Sequence, residues 1–426
     1  MNSETLKLVV LIIFIVTYLA LLFFPNIRAF IAISSAFVFV MIGALPVDKI
    51  FYTVNWNVIM MIAGTMGTVY LFIESKMPAL MADVIIEKTP NVKWAVISLS
   101  LFAGIISAFV DNVATVLMVA PIALDISKKL KISPVSSVIA IAIASNLQGA
   151  ATLVGDATSI LLGGYAGMDF MDFFFFQGKV GMFWIVQLGA IASTLVLFFI
   201  FRKDNQPIHI TERAVVTDYF PSILLSGTVI MLILVSFFPD KPEFINGYIC
   251  MAFLVVGVIR EFIKTRDASI FMRVFREIDF ITLLLLTGLF IVIGSITEVG
   301  IVNDIGNLFV SISDNTFIIY TLIVWSSVIL SAFIDNIPYI ATMLPVVSAI
   351  SVAMNVDPNL FYFGLLTGAT LGGNLTPIGA SANITGLGIL RKEGYDVKAS
   401  QFMKMSVPFT LAAVTTGYIL VWLIWS

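Results

Sequence analysis

The chain has 426 residues, of which 60% are hydrophobic and only 12% charged, whereas soluble domains carry about 25% charged residues. That composition excludes a water-soluble globular fold and points to an all-α polytopic membrane protein. A net charge of −3 argues against a nucleic-acid partner, and the single cysteine, Cys250, rules out an internal disulfide.

The first apolar stretch, 6–24, is longer than a signal-peptide core and has no small-residue cleavage site after it, so it is expected to be retained as a span. Further plain spans are expected near 29–45, 55–73, 181–201, 221–238, 245–263, 280–298 and 406–425. Two longer apolar regions, 94–165 and 317–390, are interrupted by Asp, Asn, Gly, Pro and Thr. An unsatisfied backbone group in lipid costs several kcal/mol, on the order set by burying an unpaired amide. Each region therefore reads as a re-entrant helical hairpin (94–127 and 317–353) followed by a broken helix (134–165 and 359–390). The polar segment 202–220 reads as a cytoplasmic linker between a first half, 1–201, and a second, 221–426. Its His209, the one histidine, reads as a solvated side chain. The charged stretch 260–279 is expected on the membrane surface, with Arg273 and Arg276 near anionic head groups or simply retaining a cytoplasmic loop.

The two halves repeat. Ser107–Pro121 reads SAFVDNVATVLMVAP and Ser331–Pro345 reads SAFIDNIPYIATMLP, and the same ungapped offset pairs Gly64 with Gly288, Glu74 with Glu298, Gly149 with Gly373, Thr152 with Thr376 and Gly155 with Gly379. Matched Gly, Asn, Thr and Asp inside apolar sequence are a feature of secondary transporters that build a site between two related bundles. Threading the chain leaves only Lys7, Lys49, Lys179 and Lys241 of the 23 Lys and Arg outside. Six lysines flank the first hairpin and none the second, which predicts an inverted repeat with ten crossings, hairpins entering from opposite faces, and both termini outside.

Asp111 and Asp335, each followed by an asparagine (Asn112, Asn336), fall near mid-depth of their hairpins. A charge there costs about 3 kcal/mol or more unless it faces a cavity, pairs or is protonated. No Lys or Arg lies within either hairpin, so the countercharge is expected from outside the protein, as sodium or a proton. Asp-Asn can also cap the second arm of each hairpin, and both roles are compatible. The broken helices, QGAATLVGDATSI at 148–160 and GGNLTPIGASANI at 372–384, offer oxygens and amides from Thr152, Thr376, Asn374, Ser381 and Asn383, with Gly155 and Gly379 allowing the backbone to unwind. Asp156 is unpaired in the repeat, its mate being Ala380; it reads as an ion-binding acid or a helix cap. Sodium candidates are Asp111, Asn112, Asp156, Asp335 and Asn336. Glu74 and Glu298, at matching span ends, read as interfacial.

The segments SAFVDNVATVLMVAP, SNLQGAATLVGDATSILLGG, SAFIDNIPYIATMLP and GATLGGNLTPIGASANITGLGI resemble the ion transporter superfamily of arsenite permeases, NhaD-type antiporters, citrate carriers and the P protein, with the pattern of the P-protein and arsenical-pump branch. The resemblance covers the chain from about residue 29. It implies a homodimer of scaffold and transport domains working by an elevator motion, with the hairpin tips and broken-helix loops forming the site. Dicarboxylate carriers of the superfamily carry Ser-Asn-Thr where this chain has Val110-Asp111-Asn112 and Ile334-Asp335-Asn336, and Pro-Pro-Asn commonly follows the Gly-Asp where Ala157, Thr158 and Ser159 stand here. The expectation is a secondary active carrier in a bacterial-type plasma membrane. It would be proton- or sodium-coupled, without any other cofactor, and would move a small inorganic or oxyanion substrate. Sodium/proton antiport is the alternative. A channel would need a continuous pore. An intramembrane aspartyl protease would need Gly-x-Gly-Asp, whereas Leu153-Val154-Gly155 precede Asp156; an enzyme is not expected.

Overall fold

The computed structural model describes residues 3–208 and 213–426; His209 lies outside the described residues. Among the described residues the regular elements are helices, apart from a two-residue antiparallel ribbon, Phe175–Phe176 with Lys179–Val180, turned by Gln177 and Gly178 at positive φ. The first ten helices are α1 (Ser3–Phe23), α2 (Arg28–Met41), α3 (Ile50–Thr53), α4 (Trp56–Glu74), α5 (Met77–Glu87), α6 (Val92–Ser107), α7 (Asn112–Leu130), α8 (Val135–Gly149), α9 (Ala157–Ala166) and α10 (Met182–Ile200). After the linker come α11 (Phe220–Ser236), α12 (Ile245–Thr265), α13 (Ser269–Glu277), α14 (Phe280–Glu298), α15 (Ile301–Ile312), α16 (Thr316–Ser331), α17 (Asn336–Met354), α18 (Pro358–Leu366), α19 (Ser381–Lys392) and α20 (Ala399–Trp425). The start and end of α4 and α14, of α6 and α16, and of α7 and α17 match at the offset that separates Asn146 from Thr370, 224 residues.

The breaks follow from the local chemistry. Asn91 and Asn315 cap α6 and α16, each side chain accepting a backbone N–H of the first turn. The glycine-rich segments unwind the chain between α8 and α9, and between α18 and α19, where a π turn (Thr367–Leu371) and a 3-10 turn (Gly373–Leu375) precede extended backbone. α8 and α18 are apolar and buried on nearly every side, as expected of helices at the centre of a bundle. The helices wrap each other across the halves: α4 packs on α12, and α2 on α14. Glycines permit both close approaches, since a Cβ on Gly64 would meet Cys250 and one on Gly288 would meet Ala32. Large apolar side chains cover the outside, among them Leu8, Phe30, Phe37, Ile191, Phe199 and Leu423. Hydroxyls in this apolar shell donate to carbonyls one turn back, as Thr65, Thr194 and Thr416 do.

Among the described residues seven helices are long and apolar enough to cross a membrane, or eight if the pair α15–α16, bent by 119°, forms one span. Six of the eight plain spans expected from sequence are among them. The stretches at 29–45 and 221–238 form shorter apolar helices, because the helix at α2 gives way to a turn at Gly43 and that at α11 stops at Ser236. α17 also qualifies, although its sequence reads as a hairpin arm; its mate α7 does not, its last turns carrying Asp125, Lys128 and Lys129.

Candidate functional site

Asp111 and Asp335 stand at the turns joining α6 to α7 and α16 to α17. Each caps the following helix: Asp111 Oδ1 accepts the N–H groups of Val113 (3.0 Å) and Ala114 (3.1 Å), and Asp335 Oδ1 that of Ile337 (3.1 Å). The helix N-terminus thus holds each carboxylate in place. The turns are pinned to the broken-helix loops in the same way twice. Thr152 Oγ1 donates to the carbonyl of Ala108, and Thr376 Oγ1 to that of Ala332. An added Cβ on Gly155 would stand 2.6 Å from the Gly149 carbonyl oxygen and 2.9 Å from that of Ala108, and one on Gly379 2.7 Å from that of Ser331. Thr152, Gly155, Thr376 and Gly379 therefore clamp backbone to backbone rather than face a cavity. Asn374 donates to the Ile143 carbonyl (2.8 Å) and Asn383 to that of Thr376 (3.3 Å), while the buried Oδ1 of each has no protein partner.

Asp111, Asn112, Asp156, Asn336 and Ser381 meet in one cavity of ≈ 250 Å³, walled by α4 on one side and closed by Glu277 at the end of α13 and by Asp279 and Thr282 at the start of α14. Four carboxylates line it and no Lys or Arg does. Asp156 does not cap α9; its Oδ2 accepts from Thr158 Oγ1 (2.9 Å) and Asn336 Nδ2 (3.4 Å). Behind it a polar chain crosses between the halves: Thr370 Oγ1 donates to Thr158 Oγ1 (3.0 Å), Asn146 Nδ2 to the Thr370 carbonyl (2.9 Å), and Asn112 Nδ2 to Asn146 Oδ1 (3.0 Å). Asn146 thereby touches its own repeat mate, so the two halves meet beside the site.

The countercharge of Asp335 comes from within the protein. Arg28 Nη1, at the start of α2, lies 2.5 Å from Asp335 Oδ2, which also accepts from Ser381 Oγ (3.3 Å). Counting bases inside the hairpins missed it because Arg28 sits 307 residues away in sequence. The available signal was that Arg28 is the sole charged residue between Lys7 and Asp48. Asp279, Asn146 and Thr158 were also missed. Asp279 was within reach of the repeat: its mate Asn55 caps α4 as Asp279 caps α14. Glu298 pairs with Lys49 (2.6 Å) at an exposed position, and Glu74 is exposed, which fits an interfacial place for both.

A second cavity of ≈ 570 Å³ is lined by the repeat mates of the first: Phe290 for Met66, Ile293 for Val69, Thr297 for Ile73, Ala341 for Leu117, and, in the opposite sense, Asn55 for Asp279 and Thr53 for Glu277. Neither hairpin-tip aspartate lines it. Of the tip residues, Asp111, Asn112, Asn336 and Ile337 line the first cleft, while Asp335 lines neither.

The model of the CitMHS family, described as a citrate transporter, matches residues 18–368. An uncharacterized transporter of Mycobacterium tuberculosis is 28% identical over 403 residues, covering 92% of this chain and 93% of its own length. The P protein of Sus scrofa is 26% identical over 410 residues, which span 77% of this chain and 48% of that protein. Among solved structures, the YdaH transporter of Alcanivorax borkumensis aligns with a TM-score of 0.60 at 13% identity, covering 88% of this chain and 86% of that one. MtrF of Neisseria gonorrhoeae, from a class of antimetabolite efflux pumps, aligns at 0.54 and 13% identity over 99% and 94%. Those two likenesses concern the fold. With most of its length matched by one family and its helices arranged as in known carriers, the chain belongs to the CitMHS citrate transporter family and is a multi-pass membrane transporter.

Proposed function

We propose that the protein is a secondary active, ion-coupled carrier in which Asp111 and Asp156 take up sodium or a proton from the acid-lined cavity. The observation that carries this reading is the cavity itself: four carboxylates and no base around a site deep in apolar sequence. Acids so placed are tolerated when a mobile cation meets them. In this reading α1–α4 and α11–α14 form a scaffold. The α6–α7 and α16–α17 re-entrant hairpins, the broken helices, α10 and α20 form a transport domain that moves as an elevator within each protomer of a homodimer. The two repeat-related clefts support alternation: the tips face one cleft here and would face the other after the domain moves. Inverted halves, with the present opening on the cytoplasmic side near Arg273 and Arg276, follow from the Lys and Arg threading. Neutralisation matters because each uncompensated charge crossing the field is worth about 2.3 kcal/mol per 100 mV.

The acid lining favours sodium/proton exchange. A second reading, coupled movement of a small oxyanion, has the support of the family description and of the glycine-rich loops, whose amides could hold an anion once cations are bound. Purified protein in vesicles separates the two. If imposed sodium or lithium gradients move protons with no permeant anion present, exchange holds. If arsenite or citrate enters only with an imposed sodium or proton gradient, the oxyanion reading holds. Transport of neither kind would overturn both.

A further inference from the structure

The two hairpin tips are alike in sequence and in their helix caps, yet their carboxylates have different surroundings. No side-chain donor reaches Asp111 among the described residues. Asp335 has every oxygen engaged: Oδ1 by the N–H of Ile337, Oδ2 by Arg28 and Ser381. Arg28 belongs to α2, which packs on α1 and α14, and Asp335 belongs to the turn before α17, which packs on α15, α18, α9 and also on α14. The ion pair therefore spans the seam where α17 meets the α2–α14 pair. Both side chains are largely withdrawn from solvent, at 21% and 11% exposure. The repeat does not reproduce the base, since the mate of Arg28 is Ala252. Asp279 and Asp156 are the other charged groups within electrostatic reach of the pair.

We infer that Arg28 is a tethered competitor for the coupling cation: in the conformation described here its guanidinium occupies the place at Asp335 that a sodium ion or proton takes when that seam opens. The inference rests on the proposed ion-coupled reading and adds to it a mechanism of release. A carboxylate cannot hold a mobile monovalent cation and a guanidinium at one oxygen without excess charge, so approach of Arg28 expels the ion into the open cleft. Withdrawal of Arg28 leaves an uncompensated acid, which reloads. The single base also makes the two tips unequal: Asp111 is available to a cation in this conformation and Asp335 is not. Arg28 is accordingly a positioning residue that sets when one site empties.

The test compares wild type, Arg28→Gln, Arg28→Lys, Asp335→Asn and the double variant Arg28→Gln/Asp335→Asn as purified full-length protein. Bound ²²Na⁺ per protomer and the infrared C=O stretch of protonated carboxyl groups are measured at neutral pH. Arg28→Gln should gain one monovalent cation per protomer, seen either as an extra sodium or as a new protonated-carboxyl band. The double variant should lose that gain, and Arg28→Lys should match wild type. In vesicles Arg28→Gln should lower KM for the driving ion severalfold and lower kcat with it, the mark of slowed release, where a purely structural defect would lower kcat alone. If Arg28→Gln gains neither cation while remaining folded, or keeps the gain when Asp335 is removed, the inference is overturned. Failure of the ion-coupled reading looks different: Asp111→Asn would then transport and bind as wild type whatever Arg28 does. Should Arg28→Gln prove unstable, the charge-balanced double variant and Arg28→Lys still decide, because full retention of wild-type KM by the double variant would contradict competition.

Discussion

Gly155 and Gly379 show at the residue scale how tightly each tip is joined to its loop. With backbone carbonyl oxygens of the loop and the neighbouring turn 2.5 to 2.9 Å from any added Cβ, Gly155→Ala or Gly379→Ala must push backbone apart. Each should cost about 1–3 kcal/mol, the usual range for overpacking, as a lower melting temperature in detergent, and the two should act alike. Asp156 behaves differently, because it has no mate and no cap to serve. Asp156→Asn keeps the volume and can still bond Thr158, so the fold should survive while cation-driven flux falls at least tenfold; unchanged flux would remove Asp156 from the site. Most of this was legible in the sequence, since Asp, Asn, Gly and Thr in apolar surroundings are conspicuous. Arg28 was not paired from sequence because pairing across 307 residues depends on how α2 folds against the second hairpin.

At the element scale the hairpin turns were readable from the Asp-Asn caps and the breaks from glycine-rich sequence, whereas a span and a hairpin arm were not separable by hydropathy. α17 is as long and apolar as a crossing helix, and what distinguishes its mate α7 is only the charge of its last turns. The ribbon at 175–180 had no alternating pattern to announce it, being mostly phenylalanine before Gln177-Gly178. The linker is an element in its own right. Gln206 and Asp204 carbonyls accept the N–H groups of Val92 and Lys93, and Asp83 accepts that of Ala214. Asp218 anchors its end. Partial burial raises the Asp218 pKa, but hydrogen bonds from Arg260 and Lys264 outweigh that and hold it well below the usual carboxylate range. A carboxyl depressed on folding adds stability above its unfolded pKa of about 3.9, lost as pH falls through the lower folded value. Asp218→Asn should therefore lower the melting temperature at pH 7 modestly and reduce its fall on acidification; an unchanged acid limb would show that the linker anchor contributes nothing.

For the whole molecule the repeat was the most informative signal, because a constant offset survives any uncertainty about single helices and reappears in helix bounds, clamps and paired cavities. What it could not reveal was which cleft is open, a property of packing between α4, α14 and the tips. In a Cys250→Ala background, Leu117→Cys and Ala341→Cys should react with membrane-impermeant thiol reagents from opposite faces, and both from the same face would contradict inverted halves. The most direct measurement of the central claim is proton movement in vesicles under an imposed sodium or lithium gradient, for wild type and Asp111→Asn. Wild type should couple the two ions and Asp111→Asn should fall to the level of protein-free vesicles while remaining folded; equal coupling by both would mean that the cavity's acids only cap helices.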